Sequence, residues 1–346
     1  MTGKKRPRAR RSARAARRVD GSPLRGLSAE SSLRLHFELL RARRVEEKLA
    51  ELYKEQEMRT PTHFSVGQEA VAVGMCAALR SDDVVFSGHR CHAHYLAKGG
   101  NLAALVAELY GRESGAARGR GGSVHLSDMS VGMVAASAIL AQTIPVAVGS
   151  ALAFQMDGSS RVGVTFFGDG AVDEGVFHES LNWAAVKRLP VVFVCENNLY
   201  ATHSPLSVRL PRGTEIYRRA QMYGIAAEEL DGNDVYAVYG SARRAVAQCR
   251  RGRGPVFLEC ATYRWLEHVG PLDDSERGYR TAREIESWKR RDPVKRSAKA
   301  LKAAGLASSA TLQQLESQID EEIAKAVAEA KQAPWPDPRD LLKNVY

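Results

Sequence analysis

One strand–helix–strand stretch near the middle of the chain constrains the fold more than any other part of the sequence. Residues 161–167 form a mostly apolar run of strand length, and a Gly-Asp-Gly run at 168–170 ends it. A helical pattern follows over residues 174–187, and a second apolar strand over residues 190–195 ends at two asparagines. Strands that are apolar throughout are typical of a parallel sheet with both faces covered by helices. The stretch therefore predicts an α/β fold with a central parallel sheet.

Polar side chains follow both of these strands. Asp169 comes directly after the first strand, and Asn198 follows the second. A right-handed crossover brings the carboxyl ends of two such strands to one edge of the sheet, so the two side chains are expected to converge. A carboxylate and an amide oxygen suit Mg²⁺, which keeps positions open for phosphate oxygens. The sequence therefore predicts a cation site at this edge.

Gly168 and Gly170 add the features of a diphosphate site. They allow the backbone to turn sharply and to approach a ligand closely, and the helix that follows offers unpaired N–H groups to an anion. On its own, a Gly-Asp-Gly run is more often a turn that only ends a strand. The apolar strand before it, the helix after it and the asparagine pair at 197–198 together favour a ligand site.

The rest of the sequence divides into a basic arm and one domain. Residues 1–28 are predicted to form a disordered arm, and residues 29–346 a single domain with helical extensions at both ends. Residues 111–122, rich in Gly and Arg, lack periodicity and are predicted to form a mobile loop. Apolar patterning predicts helices over 31–58, 70–79, 102–110 and 145–154, a further strand over 255–260 and a mostly helical region from 284 onward.

The net charge of +10 comes almost entirely from the arm, because residues 1–18 contain nine Lys and Arg residues and no acid. A nucleic-acid-binding domain would carry its charge on a folded face, so no specific nucleic-acid partner is expected. The arm lacks the apolar stretch of a secretory signal, and an organellar transit peptide is the alternative to a plain basic extension. No apolar run reaches the ~18–20 residues of a membrane helix, so no membrane partner is expected.

The cysteines indicate the compartment. There are five of them, an odd number, and no two form a C-x-x-C pair. This usage argues against a disulfide framework or a zinc site and for a reducing environment. We therefore expect a cytoplasmic bacterial protein, or an organellar one if residues 1–28 are a transit peptide.

The spacing of the central motifs matches a known signature. The Gly-Asp-Gly run, 26 residues and then the asparagine pair are typical of thiamine-diphosphate enzymes. From about residue 31 to the end, the sequence resembles α subunits of 2-oxo acid dehydrogenases of the pyruvate, branched-chain and acetoin types. The resemblance implies the thiamine-diphosphate-binding fold, with thiamine diphosphate and Mg²⁺ as cofactors. It implies Mg²⁺ ligation by the Asp169 and Asn198 side chains and the Tyr200 carbonyl, and diphosphate contacts from Gly170 and Ala171.

Two further segments match parts of the family that hold the cofactor. The resemblance implies that His89 and Arg90 contact the diphosphate, Arg90 through its guanidinium fork. The family usually has tyrosine at position 89, and an imidazole donates the same kind of hydrogen bond. Ala138 and Leu140 match the segment at the aminopyrimidine, with Leu140 as the apolar wedge that bends the cofactor. The alternatives are an ordinary surface arginine and an ordinary packing leucine.

Two histidines match catalytic positions of the family. His63 precedes a Gly-Gln-Glu-Ala run at 67–70, and His268 lies in a segment, 263–270, that resembles the loop closing over the cofactor. The resemblance implies that both move protons near the reacting carbon and that His268 also contacts the cofactor. Many members have glycine and serine at the positions of Glu267 and Val269, so phosphorylation at that serine is not expected here. The alternatives are an ordinary core or surface histidine.

The resemblance also implies an activity and partners. The activity is oxidative decarboxylation of a 2-oxo acid, pyruvate first, with acyl transfer to the lipoyl group of a dihydrolipoamide acyltransferase. These enzymes need a glutamate at the pyrimidine ring, on a second domain of related fold, for which 346 residues lack room. That glutamate is therefore expected from a β subunit, in an α2β2 tetramer. The alternatives are an acetoin or branched-chain dehydrogenase, a two-subunit non-oxidative thiamine-diphosphate enzyme and, from another class, a non-catalytic scaffold or a nucleic-acid binder that uses residues 1–18.

Overall fold

The two apolar strands at the centre of the chain pair in parallel, as the sequence predicts, and belong to a sheet of six strands. The computed structural model describes Leu24, residues 27–58 and residues 60–343. Nearly all of the predicted arm therefore lies outside the described residues. The described strands are β1 (Val84–Ser87), β2 (Met133–Ala136), β3 (Gly163–Gly168), β4 (Val191–Asn197), β5 (Tyr200–Ala201), β6 (Ser204–Pro205), β7 (Ala226–Asp231) and β8 (Val256–Ala261).

The sheet has the order β2-β1-β3-β4-β8-β7, and every neighbouring pair is parallel. The short strands β5 and β6 form a separate antiparallel hairpin. Gly168 at the end of β3 lies opposite Glu196 in β4. The residues that follow these two strands therefore start from the same level at the carboxyl edge of the sheet.

Helices cover both faces of the sheet. Further helices form the regions before the first strand and after the last one. The predicted α/β class is confirmed, with a central parallel sheet and helical terminal regions. The described α-helices are α1 (Ala29–Leu52), α2 (Glu69–Cys76), α3 (His92–Ala97), α4 (Leu102–Leu109), α5 (Thr143–Met156), α6 (Gly175–Lys187), α7 (Leu206–Arg209), α8 (Ile216–Gln221), α9 (Val235–Arg250), α10 (Ala282–Lys289), α11 (Pro293–Ala303) and α12 (Ser309–Gln332).

Both faces of the central strands β1, β3, β4 and β8 are buried, which explains why these strands are mostly apolar, whereas the edge strand β7 is partly exposed and contains two glutamates. Val192 and Val194 of β4 pack into a core with residues of α1, α2, α4, α9 and α12. Val191 and Phe193 of the same strand point to the opposite face and pack against α5, α6 and α8. Alternating side chains of one strand therefore enter two separate cores.

The first helix is shorter than the sequence predicts. Apolar spacing predicts a helix to residue 58, whereas α1 ends at Leu52 and one 3₁₀ turn follows it. Gln56 then adopts a left-handed conformation with φ of 60°, which stops the helix. The chain is thereby released to run toward the carboxyl edge of the sheet, where His63 lies.

The Gly- and Arg-rich segment 111–122 is tied down, in contrast to the mobile loop predicted for it. The carboxylate of Glu108 in α4 is fully buried and accepts four backbone hydrogen bonds. The donors are the N–H groups of Ala117 (2.7 Å), Gly119 (2.9 Å), Gly121 (2.7 Å) and Gly122 (2.9 Å). The order of this loop could not be predicted from sequence periodicity, because its backbone is held by Glu108, a side chain outside the loop.

Within the part of the chain that the structure describes, no helix combines the length and the apolar character that crossing a membrane would require.

Candidate active site

A cavity of about 310 Å³ opens at the carboxyl edge of the sheet. Segments that follow β1, β2, β3, β4 and β8 contribute to its wall, together with the chain that leads into α2. The position agrees with the rule that ligands of open parallel sheets bind beyond the carboxyl ends of the strands. All of the sequence-predicted site residues line this one cavity: His63, His89, Arg90, Ala138, Leu140, Asp169, Gly170, Ala171, Asn198, Tyr200 and His268.

Asp169 is the most deeply placed carboxylate of the cavity, with its side chain 1 % exposed. Burial raises the pKa of Asp169, whereas the Arg209 guanidinium acts to lower it. Its Oδ1 atom is buried and accepts no hydrogen bond from any described residue. A buried acceptor without a partner is costly unless a ligand binds it, so Oδ1 is available to a cation.

Arg209, at the end of α7, engages the other oxygen of Asp169. Its guanidinium forms a short ion pair with Asp169 Oδ2 and donates to Asp173 Oδ2 over 2.7 Å. It also donates to the backbone carbonyl of Asp169 over 3.3 Å. The sequence analysis missed Arg209, because it lies 40 residues from Asp169 in a stretch without periodicity.

Asn198 and Tyr200 are held by hydrogen bonds of their own. The Asn198 amide donates to Gln68 Oε1 over 3.1 Å, and its oxygen accepts the Tyr200 N–H over 3.2 Å. Leu199 between them has φ of 76°, which turns the chain back over the end of β4. The Tyr200 hydroxyl donates to Glu284 over 2.9 Å. The amide oxygen of Asn198 has a second lone pair, so it remains able to bind a cation.

The residues around Asp169 suit a divalent cation with a diphosphate. The available donors are carboxylate and amide oxygens, which hard cations prefer. A Cβ atom added at Gly170 would lie 2.9 Å from the Cβ of Ala201, whereas one added at Gly168 would have nothing within 4 Å, so the backbone directly before Asp169 faces open space. The fit of Mg²⁺ and a diphosphate therefore rests on donor chemistry and on free backbone space.

Three imidazoles form the opposite corner of the cavity. The ring centroids of His63 and His89 are 4.5 Å apart, and those of His63 and His268 are 5.0 Å apart. Burial lowers the pKa of His63 to about 2 and those of His89 and His268 to about 3, and the charge of Arg90 acts in the same direction. All three imidazoles are therefore neutral at physiological pH.

Arg90 gives this corner its charge. Its guanidinium donates to the Phe64 carbonyl over 2.7 Å and to the His268 carbonyl over 3.0 Å. Burial and the neighbouring Arg264 lower the pKa of Arg90 to about 9, so it stays protonated at neutral pH. One nitrogen from each imidazole lies within 4.8 Å of the others, a spacing that a transition metal would accept with small shifts. The guanidinium beside them repels a cation, so the corner favours an anion.

A polar group in the cavity wall, formed by Ser87, His94 and Glu196, was also missed from sequence. Ser87 Oγ lies 2.9 Å from His94 Nδ1, and His94 Nε2 lies 3.4 Å from Glu196 Oε1. His94 also stacks on Phe166 of β3, with ring centroids 4.0 Å apart. The only available signal was position, because Ser87 and Glu196 lie at the carboxyl ends of β1 and β4.

The segment with Ala138 and Leu140 forms an apolar lip of the cavity. Ile139 and Leu140 are 62 % and 42 % exposed. The Ser137 hydroxyl accepts the Ile139 N–H over 3.1 Å, which shapes the turn before α5. Large apolar side chains exposed beside a ligand cavity are typical of a surface that another molecule covers.

These features define an α/β protein with a charged ligand cavity at the carboxyl edge of a parallel sheet. Residues 38–339 match the family described as Dehydrogenase E1 component, and the chain belongs to this family. Enzymes of the family depend on thiamine diphosphate, and the chain corresponds to the α subunit of a 2-oxo acid dehydrogenase.

Several relatives are similar over nearly the whole chain. The α subunit of the acetoin:2,6-dichlorophenolindophenol oxidoreductase of Bacillus subtilis is 37 % identical over 321 residues, which cover 92 % of this chain and 95 % of the relative. The pyruvate dehydrogenase E1 component subunit α of Rhizobium meliloti is 34 % identical over 326 residues, with coverage of 94 % and 92 %. A chloroplastic pyruvate dehydrogenase E1 α subunit of Arabidopsis thaliana is 36 % identical, with coverage of 92 % and 75 %.

Proposed function

We propose that this chain binds Mg²⁺ and the diphosphate end of thiamine diphosphate for the oxidative decarboxylation of a 2-oxo acid, with pyruvate as the first candidate. The observation that carries the proposal is the convergence of all predicted site residues on one cavity, in which Asp169 Oδ1 is buried and has no partner among the described residues. When bound, thiamine diphosphate supplies an electron sink for the decarboxylation.

In this proposal, two groups of residues hold the cofactor. Asp169, Asn198 and the Tyr200 carbonyl bind the metal ion. The Arg90 guanidinium and the His89 imidazole contact the diphosphate, supported by the backbone of the Gly170-Ala171 segment. Arg209 stays on Asp169 Oδ2, so the carboxylate offers a single oxygen to the metal. The Ala138-to-Leu140 lip lies against the aminopyrimidine, with Leu140 as the apolar wedge.

His63 and His268 are the proposed proton-transfer residues. Each is a neutral imidazole that offers one N–H and one lone pair, so it can donate a proton at one step and accept one at another. The Nδ1 atom of His63 is buried and has no partner among the described residues. Arg90 fixes the backbone of His268 and lies 3.3 Å from its Nδ1 atom. This arrangement would orient both imidazoles toward an anionic substrate.

We further propose that a β subunit completes the site in an α2β2 tetramer and that the acyl group passes to the lipoyl group of a dihydrolipoamide acyltransferase. Exposed apolar side chains occur in the cavity wall, at Leu140, and in segments next to cavity residues or their partners, at Val208 and Leu272, which supports a covering partner. Leu140, Val208 and Leu272 are 42 %, 73 % and 55 % exposed. The glutamate required at the pyrimidine ring would come from this partner.

The chain is proposed to act as a single domain, residues 29–346, in a bacterial cytoplasm, with residues 1–28 as a basic extension. Five free cysteines, all buried, support a reducing compartment.

Acetoin is the second candidate substrate. It is favoured by two relatives, the acetoin:2,6-dichlorophenolindophenol oxidoreductase α subunits of Bacillus subtilis and Cupriavidus necator, each 37 % identical to this chain. The pyruvate-type relatives are 34–36 % identical, so identity alone does not separate the two substrates.

A substrate panel tests the proposal. The chain is co-expressed with its β subunit and assayed with pyruvate, branched-chain 2-oxo acids and acetoin, using a dye acceptor and then a lipoylated acyltransferase. Turnover of a 2-oxo acid with both acceptors is expected. Turnover of acetoin alone would replace pyruvate with the second candidate, and turnover of a 2-oxo acid without any acceptor would establish a non-oxidative enzyme.

Two substitutions test the metal site directly. Asp169→Asn removes the charge that Mg²⁺ needs, so Mg²⁺-dependent binding of thiamine diphosphate, measured by calorimetry, should be lost. Asp173→Asn is the matched control, because Asp173 binds the same Arg209 but does not line the cavity. Unchanged binding in Asp169→Asn, or equal loss in both variants, would contradict the proposed ligand.

A further inference from the structure

The turn that carries His268 is closed by a carboxylate that lies outside the proposed catalytic and cofactor-binding residues. The Glu267 N–H donates to the Leu272 carbonyl over 2.9 Å, and Glu267 Oε1 accepts the Leu272 N–H over 3.2 Å. Arg277 donates to the other carboxylate oxygen, Oε2, over 2.7 Å. Both oxygens of Glu267 are therefore engaged, and residues 267–272 form a closed turn.

The Glu267 carboxylate fills the space inside this turn. Its side chain is 8 % exposed, whereas that of Arg277 is 52 % exposed. Gly270 has φ of +102°, and a Cβ atom there would lie 2.6 Å from Glu267 Oε1. The Gly270 N–H donates to the Thr62 carbonyl over 2.9 Å, so the turn is tied to the residue before His63.

His268 lies between these contacts and the cavity. Its carbonyl accepts the Arg90 guanidinium over 3.0 Å, and Arg90 is fixed in turn by the Phe64 carbonyl over 2.7 Å. The residues before the turn are equally constrained, because Arg280 donates to the carbonyls of Arg264 and Leu266 over 2.7 and 2.9 Å. Among these contacts, Glu267 is therefore the side chain that lies within the turn and links its first residue to Leu272.

We propose that Glu267 is a positioning residue, which acts through His268 and does not line the cavity itself. Bound to Arg277 and to the Leu272 N–H, it keeps the turn at residues 267–272 closed and presents His268 to the cavity through contacts within this chain. The turn is then ordered without help from the cofactor. A nearly buried carboxylate that loses one of its partners is left uncompensated, so removal of either Glu267 or Arg277 should open the turn. Only the role of His268 in turnover rests on the proposed function.

Hydrogen exchange measured by mass spectrometry tests the turn itself. The α–β complex is compared with and without thiamine diphosphate and Mg²⁺, as wild type and as the variants Glu267→Gln and Arg277→Met. In the wild type, the amides of Gly270 and Leu272, which donate to the Thr62 carbonyl and to Glu267, should be protected in both conditions. In either variant, their exchange should be at least about tenfold faster, as expected for loss of hydrogen bonds to a charged group. Arg244→Met is the matched control, because it breaks an exposed pair with Glu228, 3.0 Å long, away from the cavity.

Steady-state kinetics separate positioning from general destabilisation. Glu267→Gln and Arg277→Met should each lower kcat about tenfold and leave KM for the substrate that the enzyme oxidises within about twofold of the wild-type value. The double variant should have a kcat no lower than that of the single variants. Unchanged exchange over residues 268–272 would overturn the proposal. Faster exchange throughout the chain, with a lower unfolding temperature, would also overturn it, because Glu267 would then be merely structural. The exchange result stands even if no substrate of the panel is turned over.

Discussion

Single buried carboxylates bind backbone N–H groups that no regular hydrogen-bonding pattern satisfies. Glu108 binds four N–H groups of the segment 111–122, and Glu259 binds the Asn197 amide over 2.7 Å and the Tyr217 N–H over 2.8 Å. Because each carboxylate accepts several hydrogen bonds, one side chain can replace a regular backbone ladder. None of these contacts has a periodic signal, so they are visible only in three dimensions.

Glu108→Gln tests this principle at one residue. A glutamine has one acceptor oxygen, and its NH2 group would face two of the four N–H donors. Two buried donors left unpaired cost about 2–5 kcal/mol of unfolding free energy. Urea denaturation of the variant measures the loss. Glu321→Gln, on the exposed face of α12, is the matched control and should change the free energy by less than about 0.5 kcal/mol. A loss equal to the control would show that the loop does not depend on the carboxylate.

The three cavity histidines predict an acid-sensitive protein. Burial lowers the pKa of His63 to about 2 and those of His89 and His268 to about 3, below the unfolded value of about 6.5. The unfolded state therefore binds more protons between these values, and stability falls as the pH drops from about 6.5 toward 3. After allowance for partial exposure, each histidine should cost about 1 kcal/mol of stability at pH 5.

Urea unfolding at pH 7.5 and pH 5 measures this effect. His89→Gln removes one titrating group and should reduce the difference between the two pH values. An unchanged difference would mean that other groups cause the acid sensitivity.

At the scale of elements, the sequence predicts strands and helices that have a regular apolar pattern. It does not predict residues whose position depends on partners far away in the chain. The strands that end at Gly168 and Asn197 follow from apolar runs, and the convergence of Asp169 and Asn198 follows from the parallel sheet. Arg209 and Gln68 could not be found in this way. They reach the same edge from α7 and from the turn before α2, and their partners are 40 and 130 residues away in the chain.

The chain just before α2 packs closely against the segment after β8, and this contact is expected to require glycine at position 67. Gly67 has φ of +99°, and a Cβ atom there would lie 2.5 Å from the Tyr263 carbonyl and 2.6 Å from the Trp265 indole nitrogen. Gly67→Ala should therefore combine backbone strain with a clash and lower the unfolding free energy by about 2–4 kcal/mol. Gly213→Ala is the matched control, since Gly213 has φ of +81° with nothing within 4 Å of its added Cβ. Equal losses would show that strain alone, without the close approach, sets the effect.

At the scale of the whole molecule, the residues that give the chain its net positive charge are predicted to be different from those that carry out catalysis. Residues 1–18 contain nine Lys and Arg residues of a chain whose net charge is +10, and the cavity is built from residues 63–268. Deletion of residues 2–18 removes nine of the ten net positive charges and no group that lines the cavity. Turnover with the β subunit should therefore stay within about twofold.

The same deletion should change how the protein binds polyanions, because that attraction depends on charge and is screened by salt. The truncated chain should leave a heparin column at much lower salt than the full chain. A matched variant with Arg243→Gln and Arg251→Gln, two exposed arginines in and just after α9, should shift elution only slightly, since it removes two charges from the folded part. If the truncation instead abolished turnover and left heparin elution unchanged, the arm would belong to the catalytic assembly, and the charge of the folded part would have to account for polyanion binding.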